Sequence, residues 1–325
     1  MQLGANYFDA YHFEHAALPE IDFDDVDPGV DFLGRRLAAP LLISSMTGGT
    51  EAAGLINRNL AAGAERTRIA VGLGSQRKAL EDPAKADTFK VREVAPSVPL
   101  LANLGAVQLN YGLGVRDCLQ AVEMIGADAL ILHLNPLQEA IQPEGQRNFA
   151  GLLPKIGEIV RGLPVPVVAK EIGCGISAAT ARALAGQGIR IIDTAGVGGT
   201  SWARIEAERA GDLDLGEIFA GWGIPTPLSI QEVRAALDAD GTAGAGGLTV
   251  IASGGLRNGI DVAKALALGA DLAGMAFPFL QAATESPERV EAKVKRIVLE
   301  LKICMFCLGV KTVAELRRVR LRKGS

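Results

Sequence analysis

Histidine is scarce in this chain: three in 325 residues, His12, His15 and His133. None follows His133, so chemistry that needs an imidazole base on a later stretch has no residue for it. Cysteine is almost as sparse. Cys118 and Cys174 stand alone, and Cys304-x-x-Cys307 has neither a second pair nor histidines beside it, which makes a poor zinc site. At i and i+3 of a helix-like run those two thiols share a face, and they read as core cysteines rather than a redox pair. There is no basic excess: the net charge of −4 gives no electrostatic reason to expect nucleic acid. No apolar run reaches the roughly 18 residues that span a bilayer, and the start carries no basic-then-apolar leader. A cytoplasmic protein without a membrane partner is expected. No G-x-x-x-x-G-K-[ST] occurs, so there is no P-loop. What remains, 49% hydrophobic and 22% charged, is the composition of an ordinary globular protein.

Residues 1–39 are mixed, with turn signals at Leu18-Pro19-Glu20 and Asp27-Pro28-Gly29. They read as a segment packing on the body of the protein, and His12 and His15 as structural. Then a rhythm begins. Eight apolar runs follow, the first seven ending in polar or Gly-rich residues and the last in Phe277-Pro278: Pro40–Met46, Ile69–Gly74, Leu100–Ala102, Ala129–Leu132, Val165–Ala169, Ile189–Ile192, Leu248–Ala252 and Leu272–Ala276. Between them Ala178–Gln187, Ile260–Leu268 and Glu288–Lys302 carry apolar residues at i, i+3, i+4. Alternating strands and helices imply a parallel sheet with helical crossovers, and eight such units imply an α/β fold of the (β/α)8 TIM-barrel type over 40–325. The polar motifs all follow the strands, so they converge on the C-terminal mouth where barrel active sites sit. A long insertion lies between Trp202 and Leu248. It holds a turn at Gly221–Pro227, a helix from Ser229 and a flexible Gly-rich loop at Gly241–Gly247, to which no function is assigned.

The centre of the pattern is His133-Leu-Asn135-Pro-Leu-Gln138-Glu139. Pro136 forbids the preceding strand from continuing, so a ring, two amides and a carboxylate fall at a strand mouth and in the loop beyond. The plain alternative is a polar turn whose side chains cap a helix. Gly254-Gly255-Leu256-Arg257 and Gly274–Phe277 follow the last two strands, where barrels bind phosphate on bare backbone N–H groups; Arg257 can add a charge-assisted bond. Lys170 projects from the fifth strand end and needs an anionic or electron-rich partner there. Together these suggest a phosphorylated, planar cofactor across the mouth. Gly173-Cys-Gly175-Ile-Ser-Ala178, with Asp193 beyond it, imitates a dinucleotide fingerprint. That fingerprint requires an open sheet, and this turn is the fifth of eight like units.

Assembled, these residues resemble the type 2 isopentenyl-diphosphate isomerases, FMN-dependent barrel enzymes, from about Tyr11 to Arg317. The resemblance rests on Met46-Thr-Gly-Gly49, Gly74-Ser-Gln-Arg77, Asn103-Leu-Gly105, the His133–Glu139 motif and Lys170-Glu-x-Gly173. Gly198-Gly-Thr-Ser-Trp202, Ser253-Gly-Gly-x-Arg257 and Ala267-Leu-Gly-Ala270 complete it. It implies interconversion of isopentenyl and dimethylallyl diphosphate with reduced FMN, NADPH or a similar reductant, and Mg2+. It also implies a homo-oligomer. Ser45, Met46, Thr47, Gly48, Ser75, Asn103, Lys170, Thr200, Gly255, Leu256, Arg257, Ala276 and Phe277 would hold FMN. Ser75, Gln76, Arg77, His133, Asn135 and Gln138 would face substrate, with Gln138, His133 and Asn135 in catalytic roles and Glu139 on the metal.

Two departures stand out. An upstream Arg-Lys-x-x-His element of the family is absent, and the expectation is that the natural chain starts further upstream. Ala195 stands where a serine is common, which would remove one flavin hydrogen bond. The rival readings are an FMN-dependent 2-hydroxy-acid oxidase and a barrel that binds flavin without turnover.

Overall fold

A computed structural model describes residues 6–46, 48–239 and 247–324. Thr47 and residues 241–246 of the Gly-rich loop lie outside the described residues.

Eight parallel strands close into a barrel. They are Leu41–Ile43 (β1), Ala70–Gly72 (β2), Leu100–Gly105 (β3), Ala129–Leu134 (β4), Val167–Glu171 (β5), Ile191–Asp193 (β6), Thr249–Ser253 (β7) and Leu272–Met275 (β8). All eight fall on the apolar runs. Helices Glu51–Thr67 (α1), Val115–Ile125 (α2), Pro136–Ile141 (α3), Leu152–Gly162 (α4) and Ala178–Gly186 (α5) lie in the first five connections. The β2–β3 connection is the exception, with only a five-residue helix, Arg77–Glu81, and a 3-10 turn. The insertion after β6 holds Trp202–Ala210 (α6), Leu213–Ile218 (α7) and Thr226–Ala239 (α8). The last of these begins earlier than the Ser229 start expected, because the Thr226 hydroxyl bonds to Gly254 O at 2.7 Å and pins the helix entry to the loop after β7. Gly259–Ala267 (α9), Phe277–Glu285 (α10) and Pro287–Cys307 (α11) complete the shell.

Side chains of a strand alternate between its faces, and that period of two builds both the barrel core and the mouth. Leu42, Leu101, Ile131, Val168, Ile191, Ile251 and Leu272 form one apolar cluster inside the barrel. The alternate residues, among them Leu41, Ile43, Leu130, Leu132, Val250 and Ala252, pack outward with the helices. A hairpin of Val30–Phe32 and Arg35–Leu37 joins the inner cluster through Phe32 and Leu37, so the N-terminal segment contributes to the barrel's own core. His12 and His15 are exposed. Cys118 is buried, but Cys304 and Cys307 are only half-buried on α11: their shared face lies at the edge of the core and not within it. Among the described residues no helix is long and apolar enough to cross a membrane.

Candidate active site

Moving two residues up from the inner apolar ring reaches polar side chains of the same facing: Asn103, His133, Lys170, Asp193 and Ser253. Strand register places His133 beside Lys170 and Lys170 beside Asp193. Lys170 Nζ lies 3.1 Å from Asp193 Oδ2 and 3.3 Å from Ser253 Oγ, and Ser253 donates to Asp193 Oδ1 at 2.5 Å. Asp193 is 1% exposed. The anionic partner that Lys170 requires is thus supplied within the chain. Sequence reasoning met Asp193 only as part of a misleading fingerprint; an acid ending the strand next to a lysine-ended strand was the available signal.

His133 Nδ1 is 2.7 Å from Asn103 Oδ1, so the neutral ring donates there and keeps a lone pair on Nε2. Burial, with the Lys170 and Arg77 charges nearby, holds its pKa down at about 4. The residues after Pro136 form the short helix α3, not the loop the sequence suggested: proline at the first turn is pre-organised for a helix. Asn135 sits at its N-cap without capping it. Its amide instead donates to Gln138 Oε1 at 3.1 Å and Glu139 Oε1 at 2.9 Å, leaving a buried Oδ1 with no protein partner. Gln138 Nε2 donates to Glu206 Oε1 at 2.8 Å. Glu206, 3% exposed and one helix away in the insertion, was not foreseen; only the fold brings α6 against α3. Glu139 Oε2 accepts from the Gln146 N–H at 2.6 Å. Among the described residues no group of three or more His, Cys, Asp or Glu side chains surrounds Glu139 or any other point as a ready metal cage.

Gln76 needs correction as a substrate contact. Its side chain is fully buried, donating to Ala121 O at 2.9 Å and accepting from Asn103 N at 3.1 Å. The backbone pull of β3 and α2 turns it into the core, leaving only its main chain for the mouth. Leu256 likewise buries its side chain and offers backbone alone. Ser75 is half-buried, and Arg77 opens the five-residue helix, 3.6 Å from Glu81. Met46, Gly48, Thr200 and Ala276 are half-buried and Phe277 is exposed. Ser44 and Ser45 have buried hydroxyls with no protein partner. Gly254 and Gly255 take φ of 96° and 82°, and a Cβ there would lie 2.1 Å from Gly196 O and 2.6 Å from Gly198 C. The loops after β6 and β7 therefore meet backbone to backbone. A cavity of about 510 Å³ opens beside them, lined by Gln138, Glu171, Gly173, Thr200, Trp202 and Trp222. Glu171, 5% exposed, accepts the N–H groups of Ile172, Gly173 and Cys174 at 2.6, 2.6 and 2.5 Å. Burial nevertheless pushes its carboxyl up to about 7.

The barrel and its mouth define a class. Residues 153–323 match the family model of the FMN-dependent dehydrogenases. Solved structures of the same architecture include a lactate oxidase of Pediococcus acidilactici, with a TM-score of 0.70 at 17% identity over 98% of this chain and 84% of that one. A mandelate oxidase superposes with a TM-score of 0.66 at 19% identity, over 98% and 90%. Within the class, sequence kinship is narrower. The chain is 52% identical to an isopentenyl-diphosphate delta-isomerase of Nostoc over 96% of its length and 88% of the relative's, and 54% identical to one of Paracoccus zeaxanthinifaciens over 97% and 90%. It belongs to the isopentenyl-diphosphate delta-isomerase family.

Proposed function

We propose that this protein interconverts isopentenyl and dimethylallyl diphosphate, using reduced FMN and Mg2+, with NADPH or a similar reductant restoring the flavin. Identity of about half with the family's isomerases over nearly the whole chain carries the reading. The site residues are compatible with it. Unpartnered Ser44 and Ser45 hydroxyls suit a phosphorylated planar group. In this reading FMN is held by Ser45, Met46, Thr47, Gly48, Ser75, Asn103, Lys170, Thr200, Gly255, Leu256, Arg257, Ala276 and Phe277, with Leu256 acting through its main chain. When bound, the reduced flavin supplies an electron-rich face and an exchangeable proton.

The chain's own residues do the rest. Glu139 would offer a hard anionic oxygen to Mg2+, a cation that prefers oxygen ligands and relies on few protein carboxylates. Ser75 and Arg77 face the diphosphate, and Gln76 contributes backbone. His133, neutral across the physiological range, offers Nε2 as an acceptor and not a proton. Asn135 and Glu206 hold the Gln138 amide from both ends, which suits Gln138 to position or relay a proton. A cytoplasmic homo-oligomer is part of the same proposal. Hydroxy-acid oxidation gains nothing from the site, since the oxidases share only the fold and no histidine follows His133.

The test is turnover by the purified chain. It should be yellow, and with Mg2+ and reduced flavin it should isomerise many equivalents of substrate per reductant consumed. A colourless protein that FMN does not stabilise thermally removes the flavin reading. Equal rates with oxidised and reduced flavin remove the role given to the reduced form.

A further inference from the structure

Arg209 is a half-exposed arginine on α6 that no motif singles out, yet it closes a ring of bonds around the mouth. On one side it pairs with Glu206, three residues earlier on the same helix face. On the other, its Nη2 lies 2.9 Å from Glu144 Oε1, in the segment that follows α3. Two residues beyond Glu144, the Gln146 N–H holds Glu139 Oε2. Glu139, Asn135, Gln138 and Glu206 complete the circuit through their side chains.

The direction of that circuit matters. Carboxylates stand at both ends of the two amides, and an ionised carboxylate can only accept. Asn135 therefore spends both amide protons on Gln138 Oε1 and Glu139 Oε1, and Gln138 must turn its NH2 toward Glu206. Were Glu206 protonated, it could donate, and the Gln138 amide would be free to rotate and lose its bond from Asn135. A carboxylate only 3% exposed holds its charge at a large desolvation cost unless a cation meets it. Among the described residues Arg209 is the cation bonded to Glu206. The neighbouring charges are engaged elsewhere: Glu139 and Glu144 are acids, Arg204 is paired with Glu217 of α7 at 2.7 Å, and Arg147, in the segment after α3, donates to the carbonyls of Glu139 and Gln142 at 3.2 and 3.1 Å.

We propose that Arg209 is a positioning residue of the isomerase site: by bridging Glu206 and Glu144 it sets the orientation of the Gln138 amide and ties the segment that holds Glu139 to α6. The inference rests on the isomerase reading for its kinetic arm alone. The experiment compares Arg209→Gln, Arg209→Lys and Glu144→Gln in the full-length, FMN-loaded enzyme. Loss of a charge-assisted contact predicts a fall in kcat of about ten- to a hundredfold for Arg209→Gln, with KM and FMN content nearly unchanged. Lysine should restore most of the rate, and Glu144→Gln should cost less than Arg209→Gln. Hydrogen exchange over residues 142–147 should quicken in Arg209→Gln. A kcat within about twofold of the parent overturns the proposal, since that is below the worth of one such bond; so does a lysine variant as slow as the glutamine one. If the parent itself turns over no substrate, the functional reading fails and unchanged exchange in 142–147 overturns the clamp separately.

Discussion

Lys170 shows why a single residue has to be tested together with its partner. Removing it leaves Asp193 charged and buried, an outcome that typically costs about 3–5 kcal/mol. Lys170→Ala should therefore lower the melting temperature as well as flavin retention. Adding Asp193→Asn should recover stability without recovering flavin; if flavin retention returns as well, Lys170 is a structural ion pair only. Glu139→Gln keeps the shape and discards the hard anionic ligand. Its Mg2+ requirement, read from activity against Mg2+ concentration, should rise several-fold, and an unmoved curve would take the metal away from Glu139. His133 and Glu171 oppose each other in pH dependence. Unfolding returns His133 from about 4 to 6.5, so its contribution to stability is complete above pH 6.5 and is lost as pH falls toward 4. Glu171 is raised from 4.5 to about 7, so its contribution is complete below 4.5 and is lost as pH rises through 7. Between 4.5 and 6.5 the two slopes offset. Denaturant titrations should show Glu171→Gln gaining stability with pH more steeply than the parent across that window, and the same slope in both proteins would refute the assignment.

At the scale of elements, helix α3 and the turn behind it decide whether Gln138 and Glu139 point usefully. The chain doubles back so closely that a Cβ on Gly145 would sit 1.8 Å from Glu139 O. Gly145→Ala must displace that backbone, and overpacking of this kind costs about 1–3 kcal/mol. The expected result is a lower melting temperature with a weaker Mg2+ response, since Gln146 N–H then loses its place on Glu139. A variant with the parent's melting temperature and Mg2+ curve would show that the turn relaxes without cost. Proline at the start of α3 and the polar cluster after it were visible in the sequence. That α3 would be met by α6, bringing Glu206 to Gln138, was not, because two residues 68 positions apart carry no periodic signal linking them.

On the whole molecule, the N-terminal hairpin ties the barrel's core to residues far from the mouth. Phe32 is 4% exposed among Leu42, Leu101 and Ile131. Phe32→Ala should cost about 3–5 kcal/mol, as other buried Phe truncations do. Its kinetic constants at 25 °C should stay near those of the parent, and an equal loss of kcat with little loss of stability would mean that the hairpin communicates with the site.

The sequence by itself determined the barrel. Eight apolar runs at this spacing leave few other ways to bury that much strand, and every strand formed at its run, several reaching on into the polar end. It also determined which strand ends turn polar side chains toward the barrel mouth, because side-chain facing along a strand has a period of two and needs no knowledge of neighbours. Tertiary structure alone decided the pairings. Strand register set Lys170 against Asp193, core packing turned Gln76 away from the mouth, and the docking of the insertion supplied Glu206 and Arg209. Those contacts depend on how separate elements settle against one another, and burial then makes each unpaired charge or amide too costly to leave without its partner.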